Sequence, residues 1–227
     1  MNLDFLYGVL NLSFWGYALV TFLMIQVTFM GVTLYLHRDA THRSLDLHPA
    51  LRHFFRLWLW MSSGIITREW VAVHRKHHAR CETAEDPHSP VIYGIKKVLL
   101  EEVGTPEAKR ALKETALLQL AGTLFFIGMA LAGYAMEIAM VWWLPRWCAL
   151  IHTHVFFSWE THHPQTGRGR YDNTRIFRSS VGSFLSMWIE FHLIHHLYPN
   201  IPMHLTKKAY FEMKPILEAR GVDCSAH

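Results

Sequence analysis

Residues 13–36, SFWGYALVTFLMIQVTFMGVTLYL, run for 24 positions without a charged side chain. At 1.5 Å per residue such a stretch makes a helix about 36 Å long, more than the roughly 30 Å hydrocarbon core of a bilayer. Helix is also the one local structure that satisfies every backbone group of a lone segment in lipid. A transmembrane helix is therefore expected over 13–36, lengthened or preceded by an interfacial turn from Phe5 onward. A second uncharged run, TALLQLAGTLFFIGMALAGYA, covers the 21 residues 115–135. A third, 136–159, contains Pro145 and Arg146. Proline is tolerated in membrane helices, and an arginine there faces protein interior or water.

Residues 51–67 read differently. Arg52, His53 and Arg56 occupy the first turns and leave about 11 clean residues, too few to span, so an interfacial or re-entrant helix is expected. With three spans, the segments after the first and third emerge on one side. Arg38, Arg43, Arg75, Lys76, Arg80, Lys96 and Lys97 flank that side, which makes it cytoplasmic by the positive-inside rule. The mean hydropathy of +0.11 is too low for a chain made only of spans. The expected fold is all-α: one domain over 1–227, an integral membrane helical bundle of about three spans. A cytoplasmic helical cap is built from 37–114 and 160–227.

The net charge of +4 is spread between apolar segments, with no basic run interleaved with aromatics, so no nucleic-acid partner is expected. Cys81, Cys148 and Cys224 form neither a disulfide framework nor a C-x-x-C metal signature, and the start MNLD shows no cleavable signal peptide. A reducing compartment fits.

The polar parts hold most of the 17 histidines. HRKHH at 74–78 and HLIHH at 192–196 are both H-x-x-H-H, 118 residues apart, and HRDATH spans 37–42. On a helix, positions i, i+3 and i+4 share one side, so His74, His77 and His78 could converge on a metal, as could His192, His195 and His196. His37 and His42, at i and i+5, fall roughly 140° apart on an α-helix and need a helix end, a local unwinding, or two metals. Imidazole suits Zn, Cu, Fe and Ni, and eight histidines exceed one tetrahedral zinc, which points to two metals. Asp39, Glu69, Asp86, Glu160 and Glu190 are near enough in sequence to hydrogen-bond the ligand rings. His48, His53, His88, His204 and His227 read as structural or exposed.

The three boxes on this scaffold resemble the membrane fatty-acid desaturase/hydroxylase superfamily. GVTLYLHRDATHRSLDLHPALRHFF at 31–55 and REWVAVHRKHHARCETAEDPHSP at 68–90 resemble bacterial acyl-CoA desaturases. EFHLIHHLYPNIP at 190–202, ETHHP at 160–164 and RYDNTRIF at 170–177 are more similar to the hydroxylase-like and decarboxylase-like branches. The resemblance implies a non-haem di-iron centre on His37, His42, His74, His77, His78, His192, His195 and His196, with His162 or His163 as a ninth ligand. It also implies two Fe (Fe2+/Fe3+), O2 as oxidant, and no catalytic side chain beyond the metal centre. The substrate would be a lipid or acyl-CoA chain, desaturated, in a bacterial inner membrane with the boxes facing the cytoplasm. Without a C-x-x-C-H or ferredoxin-type cysteine array, electrons come from a separate protein of ferredoxin, rubredoxin or cytochrome b5 type. Arg168, Arg170, Arg175 and Arg178 form the densest basic stretch, available to an acidic head group or donor, or simply solvated. Lipid hydroxylation and terminal-alkene-forming decarboxylation are the nearest alternatives. A histidine-rich metal transporter is disfavoured because the histidines lie beyond span ends rather than midway through them. An inactive metal-binding relative is the remaining reading.

Overall fold

Ser13 opens the first helix: its hydroxyl accepts from the Gly16 amide at 3.2 Å, a standard N-cap. In this computed structural model, which describes residues 10, 12–87, 89–94, 106–162, 169–179 and 182–226, α1 runs over Phe14–Met30. It continues without a break as a π-helix over Gly31–Thr41. One side of the run is exposed, with Phe14 and Trp15 at its start, while Phe29, Val32, Tyr35 and Leu36 enter the main core.

Helix α2 (Pro49–Ser63) has His48 as its N-cap and proline in its first turn. Gly64, at φ 71°, ends it, and its amide donates to the Trp60 carbonyl oxygen at 2.9 Å. At 15 residues the helix is about 22 Å long, short of a bilayer core. It buries Phe55, Leu59 and Ser62 and exposes Leu51, Phe54, Leu57 and Met61. Leu59 packs on Gly31, where an added Cβ would meet Leu59 Cγ at 3.1 Å, so glycine sets this close approach. The helix expected within 51–67 is present as Pro49–Ser63, and Thr67 already belongs to the next helix.

Helix α3 (Thr67–Arg80) carries the second box and is followed by a one-turn α4 (Pro90–Tyr93). Helix α5 (Pro106–Met129) leads into a helical run that reverses at Gly133, φ 98°. The rings of Phe126 and Trp142 stack with centroids 5.7 Å apart. On a straight helix 16 residues would separate them by about 24 Å, so the chain doubles back. The returning arm, α6 (residues 135–162), packs along α1, and Phe29 meets His152 with ring centroids 5.1 Å apart. Within α6, Arg146 donates to the Ser62 carbonyl oxygen, one of the last-turn carbonyls of α2 that no helix amide can reach, and lies over Trp143 and Trp147. The in-span arginine therefore faces protein.

Phe14–Thr41 and Thr115–His162 are long and apolar enough to cross a membrane. None of the apolar window of the second is buried, whereas the core helix of a soluble protein would be covered. Lipid is the solvent that suits such a surface. The chain ends with a 3-10 turn (Ile189–Phe191), α7 (His192–Leu197) and α8 (Met203–Ala219). Here Phe191, Leu193, Ile194 and Leu197 pack with Tyr210 and Leu217 in a second core. The described residues are helix, turn and loop, with no strand.

Candidate metal centre

The π-helix answers the spacing of the first box. The His42 amide donates to the His37 carbonyl oxygen at 3.2 Å and Thr41 Oγ1 to that of Leu36 at 2.7 Å, both reaching back five residues. In such a helix i and i+5 take the place that i and i+4 hold in an α-helix. His37 and His42 therefore turn to the same side, ring centroids 5.1 Å apart.

The two H-x-x-H-H boxes do not each close on one point, as their shared helix side suggested. Each is divided. Positions i and i+4 stay together and i+3, about 100° round from i+4, points elsewhere. The ligand nitrogens of His37, His42, His74, His78 and His195 lie within 4.8 Å of one another. Those of His77, His162 and His196 form a second group with the Cys81 sulfur, again within 4.8 Å. His192 joins it, with Nε2 3.0 Å from His196 Nε2 and its ring centroid 5.3 Å from that of His162. So α3 gives two histidines to the first cluster and one to the second, and α7 does the reverse. The clusters abut: the rings of His78 and His196 stack at 4.1 Å.

The spacings test whether these residues fit a metal. His37 and His195 approach Nε2 to Nε2 at 2.6 Å, His74 and His78 at 3.1 Å, and His78 and His195 at 3.2 Å. Two nitrogens bound to one first-row metal at about 2.1 Å and at right angles sit about 3.0 Å apart. His42 Nε2, in the same group, is buried with no hydrogen-bond partner, as is the Nδ1 of His37, His192 and His195. Burial, aided by Arg38, Arg75 and His77, pulls His42 down to about 3. Burial also holds His74, His78, His192, His195 and His196 well below the usual histidine value, each other's charges adding to it. At neutral pH these rings are uncharged, with lone pairs free for cations. The donor set fits two metals that favour imidazole.

Asp86 holds His77 from behind, both carboxylate oxygens 2.9 Å from Nδ1, in the arrangement common behind metal-bound histidines. Of the five carboxylates nominated from sequence, it alone is found on a box histidine. Asp39 accepts two bonds from Arg52, both at 2.8 Å, Glu69 pairs with Arg68, and Glu160 pairs with Arg175. Glu190 accepts from Ser186, and its other oxygen is buried without a partner. Arg170 donates to the Leu197 carbonyl oxygen and Arg175 to that of Glu160, so both tie the C-terminal segment down. Arg178 is exposed. His163 and Arg168, with His88 and His227, lie outside the described residues. His48 caps α2, and His53 and His204 are exposed, the structural roles read for them.

Three residues escaped the sequence reading. Glu82 Oε1 is 2.9 Å from His162 Nδ1, which also faces the Asn173 carbonyl oxygen at 3.2 Å. The spacing of Glu82 and Asp86, four apart just after the second box, was the available signal. Arg38, read as a surface charge beside the membrane, is 2% exposed and among the described residues donates only to the Ile201 carbonyl oxygen. Trp70 stacks flat on His74, ring centroids 4.6 Å apart. A cavity of about 90 Å³ is lined by His74, His77 and His162 together with Thr28, Val32 and Leu150 of the apolar helices.

The family model for fatty acid desaturases matches residues 12–100 and 96–226. This chain belongs to the fatty acid desaturase family. The desaturase match extends to residue 226, through the segment whose motifs resemble the hydroxylase-like branches. A probable chloroplastic lipid desaturase of Arabidopsis thaliana is 37% identical over 78 residues, covering 34% of this chain and 20% of that protein. An acyl-CoA 5-desaturase of Anemone leveillei is 29% identical over 196 residues, 70% of this chain and 60% of the relative. A delta-9 acyl-lipid desaturase of Arabidopsis thaliana is 23% identical over 209 residues, 77% of this chain and 68% of the relative. The chain thus spans a fifth and three fifths of the first two relatives' lengths.

Proposed function

We propose that this chain is a membrane oxidoreductase that introduces a C=C double bond into a fatty acyl chain, using O2 and a histidine-held di-iron centre. One metal would be held by His37, His42, His74, His78 and His195, the other by His77, His162, His192 and His196 with the Cys81 sulfur beside them. The observation that carries this reading is the juxtaposition of both nitrogen clusters with a cavity lined in part by the apolar helices. Bound there, two irons supply the O2 reduction and hydrogen abstraction that an unactivated C–H bond requires.

The chain's own residues do the rest. Val32, Leu150 and Phe157 give the cavity apolar walls that exclude water and take an alkyl chain. Trp70 and Asp86 fix the orientations of His74 and His77. Two membrane crossings by the hairpin and one by α1 leave the centre at the cytoplasmic side of a bilayer, reached by a lipid or acyl-CoA substrate from the membrane and by a separate electron donor from the other face.

The test is metal content of the purified protein together with acyl-chain analysis of cells expressing it. About two irons per chain and new unsaturated chains are expected, both lost in His77→Ala and His195→Ala while membrane insertion persists. Zinc-only protein that stays inactive after anaerobic iron loading would remove the reading, as would unchanged product in both variants. New hydroxylated or terminal-alkene products would remove desaturation specifically.

A further inference from the structure

The two histidine clusters differ in charge, and the Cys81 sulfur lies with the second alone. Behind the second stand two buried carboxylates: Asp86, 0% exposed, hydrogen-bonded to His77, and Glu82, 1% exposed, whose Oε1 lies 2.9 Å from His162 Nδ1 as a charge contact, the hydrogen bond of that nitrogen going to the Asn173 carbonyl oxygen. They are locked together, the Glu82 amide donating to Asp86 Oδ2 at 2.9 Å and Ser89 donating to Glu82 Oε2. The first cluster has none of this. No carboxylate contacts its rings among the described residues, and the Nδ1 atoms of His37 and His195, like that of His192 in the second cluster, are buried without partners. Arg38 instead lies within the same π-helix, between His37 and His42. Among the described residues its guanidinium has one hydrogen bond, to the Ile201 carbonyl oxygen at 3.3 Å, and no carboxylate pairs with it.

We infer that the two cation positions are inequivalent. The His77–His162–His192–His196 position, backed by Asp86 and Glu82, binds a divalent metal first and more tightly. The His37–His42–His74–His78–His195 position, beside Arg38, binds second and more weakly. This rests on the reading of the clusters as a metal centre and adds an order of filling to it. A carboxylate behind an imidazole makes the ring a better donor and fixes its tautomer, and loss of such a partner typically costs 10–100-fold in metal affinity. A buried guanidinium repels a dication through a poorly screening interior. The first cluster has one more imidazole, which works against this order. The carboxyl groups of Asp86 and Glu82 stand behind one position alone, while the Arg38 charge, which reaches His192 too, bears on His42, His78 and His195 of the other, and together these groups outweigh a single neutral donor. Asp86, Glu82 and Arg38 are positioning and field-setting groups rather than catalytic residues.

The full chain in detergent, stripped of metal, is titrated with Co2+ by calorimetry and visible absorption. Wild type is expected to bind in two resolved steps. Asp86→Asn weakens the first step 10–100-fold, Glu82→Gln weakens it less through the lost charge alone, and both leave the second within about threefold. Arg38→Met strengthens the second step, and Arg38→Lys restores the wild-type value, a pattern that lost packing alone would not produce. Two equal steps in wild type, parallel loss of both steps in Asp86→Asn, or a weaker second step in Arg38→Met each overturn the inference. Should Asp86→Asn fail to fold, Glu82→Gln and Arg38→Met decide it. Folded wild type that binds no Co2+ overturns the metal centre itself, and is distinct from equal binding at two sites.

Discussion

The first apolar run, Phe14–Thr41, and the second, Thr115–His162, have the same hydropathy, 1.9, yet occupy different surroundings. In the first, 44% of the apolar window is buried within the protein; in the second, none is. Hydropathy reports how readily a segment leaves water and does not distinguish protein from lipid as its destination. Close approach makes the difference. Gly31 admits Leu59 to the surface of the first helix, and Thr28 accepts a hydrogen bond from Trp58 at 3.0 Å. Gly122 and Gly128 of α5 offer the same opportunity, but nothing lies within 4 Å of either position where a Cβ would stand. Small residues permit packing; a partner of matching shape has to be supplied by the chain. The first run therefore delivers a histidine box into the core, and α5 leaves its apolar side chains uncovered by the described protein.

Acid should separate the two regions most strongly. His42 is held at about 3, and His74, His78, His192, His195 and His196 well below the usual value, by burial first. The unfolded chain then binds protons below about pH 6.5 that the folded metal-free protein refuses. Stability is full above that pH and drains as pH falls toward 3. Residues 115–136 contain no titratable side chain apart from Tyr134. Hydrogen exchange between pH 7 and 4 on the metal-free protein should show the histidine end opening while the α5 amides stay protected. Equal loss of protection in both would mean that the hairpin depends on the histidine end.

Truncation gives the next largest contrast. Phe29→Ala, at a fully buried position, should cost about 3–5 kcal/mol. Phe125→Ala, at a position 61% exposed, should stay within about 0.5 kcal/mol in denaturant unfolding from detergent. A large loss at Phe125 would reveal a partner covering that face. The smallest effect compares glycines. Gly31→Val drives a side chain into Leu59 and should cost about 1–3 kcal/mol. Gly122→Ala meets nothing and should be neutral or slightly stabilising by helix propensity, up to about 1 kcal/mol. Similar melting shifts for the two glycine variants would erase the distinction drawn between the helices.

Much of this architecture is readable from local pattern. The uncharged runs, the short amphipathic helix after Pro49, and the reversal near residue 135 follow from segment length and charge, which act on neighbours in sequence. The eight box histidines were identifiable by residue type and spacing, whereas the pair His162 and His163 was nominated through the family resemblance, with His163 outside the described residues. Other assignments were not readable. Asp39, Glu69 and Glu160 were as near to histidines in sequence as Asp86, yet arginines at positions 52, 68 and 175 claim them. Glu82 reaches His162 across a separation of 80 positions.

The amino-acid sequence by itself determined that this chain has apolar helices long enough for a bilayer and three histidine boxes near their ends, because periodicity, length and residue type are local properties. Only the tertiary structure decided how the histidines are shared. The π-helix that turns His37 and His42 together, the division of each H-x-x-H-H box between two clusters, and the burial of Arg38 beside one while Asp86 and Glu82 back the other depend on which surfaces meet. The energies that settle those choices, desolvation and Coulomb interaction between residues up to 158 positions apart, as for His37 and His195, arise only once the helices are packed.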